Sequence, residues 1–361
     1  MVALTTTHIG IVIFAIIVAG WIVYAYLNTR SARAELGSEI ELAPNRKPYY
    51  DDEGLEGPRL TRVMMFNVAV LAITVSALVV YWILEPARQH GAVAAAEATS
   101  EHRGQHLFSP TSEGGFNCAG CHGGMKATGG SAAYTLTDSR TGESKAVTWN
   151  APALNTVFYR FSDDEVRSII VYGRPFSPMS PWGLAGGGPM NDQQVDTLVA
   201  YLKSIQIERV GCAATETDPR TCPTGRLPDE TQAEIQQAAT ADAQKLVDSG
   251  KYDSVDAAMG EALFNLSLNS GAYSCARCHT PGWSYGDPGV SGQGGLGWNL
   301  TGGATAAHFP TTAEQIAFVD SGSDFGKKYG VQGQGSGRMP AFGNLLTPEQ
   351  VAAIVEYVRS L

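Results

Sequence analysis

The run Cys118-Ala-Gly-Cys121-His122 recurs downstream as Cys275-Ala-Arg-Cys278-His279. Two thiols three positions apart, followed at once by an imidazole, have the spacing needed to hold one haem covalently. The thiols add across the two vinyl groups, and the histidine is then held beneath the iron as its proximal ligand. A redox-active C-x-x-C needs no histidine directly after it, and a zinc ribbon sets its two C-x-x-C pairs roughly 15–20 residues apart. Here the pairs lie more than a hundred residues apart. The reading is two covalently bound haem c groups, one on Cys118 and Cys121 with His122, the other on Cys275 and Cys278 with His279.

Those motifs use four of the six cysteines, leaving Cys212 and Cys222. An even remainder outside both motifs reads as a disulfide in an oxidising compartment. The chain is acidic, with a formal net charge of -10. This excludes nucleic acid as a natural partner and disfavours an anionic membrane surface.

Two stretches, Ile9 to Leu27 and Val63 to Leu84, are uncharged and nearly all apolar, and each reaches the roughly 20 residues of a bilayer-spanning helix. The first has no Lys or Arg before it, so it lacks the basic region of a signal peptide. Both are expected to remain as anchors, giving a membrane segment over 1–90 with a cytoplasmic loop at 28–62. That loop carries Arg30, Arg33, Arg46, Lys47, Arg59 and Arg62, so the positive-inside rule puts it in the cytoplasm and everything after Glu85 outside. Trp21, Tyr24, Tyr81 and Trp82 suit interfacial belts. The chain is thus expected in a bacterial cytoplasmic membrane, with its haem sites on the extracytoplasmic side.

The remainder reads as two similar halves, 91–207 and 253–361, joined by a linker at 208–252. In the first, a helix is expected over Ala92 to Phe108, then the haem motif, then irregular chain to about Asn155. A helix capped by the Ser162/Glu165 box follows, then a Pro/Gly-rich loop holding Met179 and Met190, then a helix after Asn191. In the second, helices are expected over Asp256 to Phe264 and Thr311 to Asp320. A loop with Met339 follows, then a terminal helix opened by Thr347-Pro348-Glu349-Gln350. Gly104/Phe108 matches Gly260/Phe264, Trp149-Asn150 matches Trp298-Asn299, Pro178-Met179 matches Met339-Pro340, and Tyr201 matches Tyr357. The offsets of roughly 150–160 positions exceed any solenoid period. A linker helix is expected over Asp229 to Asp248.

This pattern resembles class I cytochrome c domains in a tandem dihaem arrangement. The fold implied is mainly α, with two N-terminal transmembrane helices followed by two tandem class I cytochrome c domains. By that resemblance, Gly104 and Phe108 face Tyr201 where the first and last helices of a domain cross, and Gly260 and Phe264 face Tyr357. It also implies distal iron ligands, Met179 in the first domain and Met339 in the second. Met190 is a rival to Met179 in the same loop, whereas Met125 and Met259 read as packing residues. His90, His102, His106 and His308 read as surface or packing histidines. Trp149 and Trp298 read as walls of the haem pockets, and Arg174 and Arg338 as solvated arginines or propionate partners. The stretch YWILEPARQHGA resembles the junction of actinobacterial-type membrane cytochromes c.

The function implied is a carrier of electrons in respiration and no enzyme by itself. Its partners would be the membrane, a quinol-oxidising bc complex (cytochrome b and Rieske subunits) and a haem–copper oxidase. An alternative is the dihaem c subunit of a cbb-type oxidase. A dihaem peroxidase would need an open distal position, which two placed methionines disfavour.

Overall fold

The computed structural model describes residues 6–35, 57–138, 140–174, 177–216, 218–268, 273–324 and 339–361. It divides into two compact units, Met1–Ala87 and Arg88–Leu361.

The N-terminal unit is built on two helices, α1 (Thr6–Glu35) and the start of α2 (Pro58–Phe108). The apolar window of α2 has no buried residue, and α2 is long and apolar enough to cross a membrane. Apolar side chains left uncovered along such a length are costly in water, which suits a membrane anchor. The expectation of two spans is met only in part. Among the described side chains the apolar stretch of α1 is Ala15–Leu27, so of the two expected spans the described residues bear out α2. The expected cytoplasmic loop lies largely outside the described residues. The expected span at Val63 to Leu84 and the expected helix at Ala92 to Phe108 are joined, since α2 runs as one 51-residue helix with Pro86 inside it. Proline removes one donor from the helical ladder. The alanine-rich chain that follows has the highest helix propensity, and the helix continues.

In the second unit the end of α2 meets α5 (Asp192–Ser204). A Cβ on Gly104 would lie 2.7 Å from the Cβ of Tyr201 and would run into the Thr197 carbonyl. Only glycine lets the two helices approach this closely. Phe108 then packs on Tyr201 with ring centroids 5.3 Å apart. The same crossing recurs between α7 (Val255–Asn265) and α11 (Pro348–Ser360). A Cβ on Gly260 would lie 2.7 Å from that of Tyr357, and Phe264 meets Tyr357 at 5.4 Å. The crossing expected from the duplicated glycines and aromatics is present twice.

Between the crossing helices of the first half lie α3 (Cys118–His122), strands β1 (Gly130–Thr137) and β2 (Ser144–Ala151), and α4 (Asp163–Tyr172). The hairpin overturns the expectation of irregular chain to Asn155. It is antiparallel, in register from Gly130↔Ala151 to Thr137↔Ser144. Its strands alternate between half-buried and exposed residues with none fully buried, so the hydrophobic alternation that marks a strand is weak. The turn is nonetheless encoded, since Asp138 Oδ1 accepts the Arg140 N–H at 2.7 Å, an Asx-type closure. Phe158, Phe161, Val166, Ile170, Met190, Val195 and Leu198 fill the core beside Phe108.

The second half contains α6 (Asp229–Asp248), α7 (Val255–Asn265), α8 (Ala276–His279), α9 (Ala304–His308), α10 (Thr312–Ser321) and α11 (Pro348–Ser360). Capping boxes open α4, α5, α10 and α11 at Ser162/Glu165, Asn191/Gln194, Thr311/Glu314 and Thr347/Gln350. Each satisfies two otherwise orphaned N–H groups.

The segment expected as a linker is packed. Leu227, Ile235 and Ala239 are fully buried in the same core as Phe264 and Val355. Ala243 of α6 and Ala258 and Ala262 of α7 form a small-residue contact. Cys212 and Cys222 are disulfide-bonded with Cα atoms 5.8 Å apart. Arg209 fastens this strap to the first half. Its guanidinium donates to the Cys222 and Phe158 carbonyls, each at 2.6 Å, and lies 4.2 Å over the Tyr159 ring.

Gly260→Ala tests the crossing. The added methyl has backbone and a Cβ to displace, so it is expected to destabilise by about 1–3 kcal/mol, read as a lowered thermal midpoint. An unchanged midpoint would mean that the helices are not held at that distance.

Candidate haem-binding sites

In the first half, α3 carries Cys118, Cys121 and His122 on a single turn. Asn117 enters it with φ 63°, and Gly123 leaves it with φ 87°. All four motif cysteines are free thiols. Burial pushes the Cys118 thiol up to about 11 and the Cys275 thiol up to about 12. A disulfide-exchange centre needs a depressed thiol pKa, so neither pair is built for that chemistry.

Each motif histidine is oriented by a main-chain carbonyl. His122 Nδ1 lies 2.9 Å from the Pro152 carbonyl oxygen, and His279 Nδ1 lies 2.8 Å from that of Trp298. A carbonyl can only accept, so Nδ1 carries the proton in both rings and Nε2 keeps a free lone pair. Burial lowers the pKa of both imidazoles, against the opposing effect of the carbonyl hydrogen bond. A neutral ring with Nδ1–H fixed and Nε2 open is the state that binds a metal.

The second half contains a partly open pocket beside its haem motif. Cys275, His279, Trp298, Thr305, Phe264 and Met339 are among its lining residues. The lining combines a thiol, two imidazoles and a thioether with mostly apolar side chains. Among the described residues Thr305 Oγ1 is buried there with no hydrogen-bond partner, as suits a group bearing polar substituents. The residues fit haem c. Trp298 thus walls the cavity as expected and also holds His279 by its carbonyl. His308 lines the same cavity, whereas His90, His102 and His106 are exposed.

The two methionine segments are built alike. Gly173 follows α4 with φ 72° and ψ -166°, and Gly322 follows α10 with φ 70° and ψ -170°. A Cβ on Gly173 would come 2.5 Å from the Met179 carbonyl oxygen, and one on Gly322 would come 2.5 Å from that of Met339. The Met179 carbonyl accepts from Arg174 N at 2.8 Å, and the Met339 carbonyl from Ser323 N at 2.9 Å. Ser177 Oγ holds the Met179 N–H at 3.2 Å, and Ser323 Oγ holds the Met339 N–H at 2.9 Å. Met190 has no such counterpart and is fully buried in the first core. Met125 and Met259 pack at the margins of the cores.

Trp149 departs from expectation. Its ring lies in β2, 5.6 Å from Tyr134 and 5.4 Å from Tyr285 of the second half. Pro152, three residues on, does for His122 what Trp298 does for His279, so Trp149-Asn150 and Trp298-Asn299 match in sequence and not in role. Sequence reasoning also missed Gly297. A Cβ there would lie 2.7 Å from His279 Cε1, so only glycine lets the chain lie flat against the ring. Arg174 sits 5.5 Å over the Phe161 ring, and Arg338 lies outside the described residues.

A family model described as Cytochrome c matches residues 102–206. A second, described as Cytochrome C oxidase, cbb3-type, subunit III, matches residues 256–358. No curated protein and no solved structure matches the chain. Replacing Cys275 and Cys278 by serine is expected to halve the covalent haem per chain, counted by haemochrome spectra against protein mass, and to leave the Cys118/Cys121 haem in place. Full haem content in that variant would contradict the attachment. The matched segments and the repeated His/Met geometry agree: the chain carries two tandem cytochrome c domains, and with them the haem and iron chemistry of electron transport.

Proposed function

We propose that this chain is a membrane-anchored dihaem cytochrome c that passes electrons from a quinol-oxidising bc complex towards a haem–copper terminal oxidase. The observation that supports it most is the recurrence, in each domain, of a carbonyl-oriented imidazole and a glycine-and-serine-held methionine segment. Cys118, Cys121, Cys275 and Cys278 hold two haem c groups. His122 with Met179, and His279 with Met339, are the axial pairs. When bound, haem c supplies an iron that takes up and releases one electron.

The chain's own residues fix the conditions for that exchange. The Pro152 and Trp298 carbonyls prevent the imidazoles from rotating, so the proximal side changes little with redox state. The paired hydrogen bonds at Met179 and Met339 fix each methionine's main chain, and a Met/His pair raises the reduction potential. Phe264 and the apolar side chains beside it keep water from the inner wall of the second cavity. The domain plan is an anchor over 1–90 and cytochrome domains over 91–207 and 253–361, with the disulfide-bonded strap at 208–252 between them. Both apolar stretches anchor the chain, and the basic loop between them places the haem domains outside.

The match of residues 256–358 to the cbb3-type subunit III family favours a second reading, the dihaem c subunit of a cbb-type oxidase. Purification from native membranes in mild detergent separates the two. Low-spin haem b with a Rieske signal in the preparation places the chain at a bc complex, whereas high-spin haem b with copper and no Rieske centre places it in a cbb-type oxidase. Haem c alone contradicts stable membership of either.

The axial assignment makes a separate prediction. Met339→Ala is expected to lower the potential of one haem and Met179→Ala that of the other, while Met190→Ala leaves both unchanged in potentiometric titration. A shifted potential in Met190→Ala, with none in Met179→Ala, would reverse the assignment in the first domain.

A further inference from the structure

Arg277 stands between the two cysteines of the second haem motif, a position the attachment chemistry does not use. Its side chain is buried, 8% exposed, and its Nη1 donates to the main-chain carbonyl of Asn150 in β2 of the first domain. The guanidinium lies 5.3 Å from the Tyr273 ring centroid and 5.1 Å from that of Trp283. Arg160 covers the Tyr273 ring at 4.2 Å, so the ring that carries Arg277 is itself fixed. Among the described residues Arg277 forms no ion pair with a carboxylate, and its Nε has no hydrogen-bond partner. Burying a guanidinium on those terms is costly.

The acceptor's position gives the arrangement its meaning. Asn150 is two residues before Pro152, whose carbonyl accepts the His122 Nδ1–H at 2.9 Å. From the His122 ring the route runs through that hydrogen bond to Pro152, along the chain through Ala151 to the Asn150 carbonyl, and across the second hydrogen bond to Arg277. It continues by covalent bonds to Cys278 and His279. Two hydrogen bonds and otherwise unbroken covalent structure therefore join the proximal ligand of one site to the attachment motif of the other.

We infer that Arg277 is the positioning residue that couples the two haem sites, carrying the bonded route for electron exchange between them. This inference rests on the dihaem reading above. The step is the passage of one electron between the sites, one being oxidised as the other is reduced, with no bond made or broken and no proton moved. Through-bond coupling decays more slowly than coupling across a gap, so a bridged route outpaces an unbridged one at equal separation. The Lys145–Asp287 ion pair, 2.9 Å long on the same interface, is exposed on both sides. A pair of that kind contributes little to docking, and it offers a control at the interface rim.

The test is the rate of intramolecular electron equilibration in the oxidised full-length holoprotein in detergent after a one-electron photoreduction pulse, with both potentials measured in parallel. In Arg277→Met the rate is expected to fall roughly tenfold, within the range that a small loss of positioning costs. Haem content and both potentials should stay near those of the wild type, and Asp287→Asn should equilibrate at the wild-type rate. Arg277→Gln, polar but too short to reach Asn150, is the second variant should Arg277→Met not accumulate, and it is expected to slow similarly. A wild-type rate in the Arg277 variant overturns the inference and leaves the dihaem carrier standing. So does an Asp287→Asn variant slowed as much as Arg277→Met, because the effect would then be docking alone. A wild-type protein whose two haems never equilibrate overturns the inference and the dihaem carrier together.

Discussion

The two imidazole–carbonyl hydrogen bonds, His122 to Pro152 and His279 to Trp298, are the constraint on which the sites depend. A histidine tethered only by the motif turn would rotate about its side-chain bonds and offer either nitrogen. Each carbonyl removes that freedom, fixing the tautomer and the ring plane together. The surrounding chain is shaped to deliver those carbonyls. In the second domain Gly297 lets the backbone pass flat against the His279 ring. In the first domain the hairpin ends at Ala151, one residue before Pro152.

Around these bonds the same structural solution is used twice. Glycine at a helix crossing permits close approach, and an aromatic pair fills the space beside it, at Gly104 with Phe108 and Tyr201 and at Gly260 with Phe264 and Tyr357. Glycine in the left-handed region then turns the chain after α4 and after α10, so that the main chain can grip the Met179 and Met339 segments. The halves differ where they meet. Among the described residues the first carries a hairpin with no counterpart in the second, and that hairpin presents Trp149 and Asn150 to Tyr285 and Arg277. The disulfide-bonded strap and α6 complete the second core.

Much of this was legible in the sequence because the relevant signals are local or repeated. The haem motifs, the crossing glycines with their aromatics, the capping boxes at Ser162 and Thr347, the Asp229–Asp248 helix and the Cys212–Cys222 pair are each defined by a few residues at fixed spacing. What the sequence concealed depends on tertiary contact. The hairpin strands bury no residue fully, so no strong alternation marked them. The Trp149/Trp298 match broke because the carbonyl that meets His122 belongs to Pro152, a relation no spacing encodes. Continuation of α2 through Pro86 reflects the propensity of the alanine-rich chain after it. The packing of Ile235 and Ala239 into the second core is invisible in a helix whose sequence reads as mostly polar.

The account's central claim is that both haems are six-coordinate, each held between one of these oriented histidines and a methionine. Low-temperature electron paramagnetic resonance of the fully oxidised, full-length protein, joined to near-infrared magnetic circular dichroism, tests it most directly. Two low-spin ferric signals, both with the charge-transfer signature of thioether ligation, are predicted. A high-spin ferric signal from either haem, or a bis-histidine signature in place of the thioether band, would contradict it.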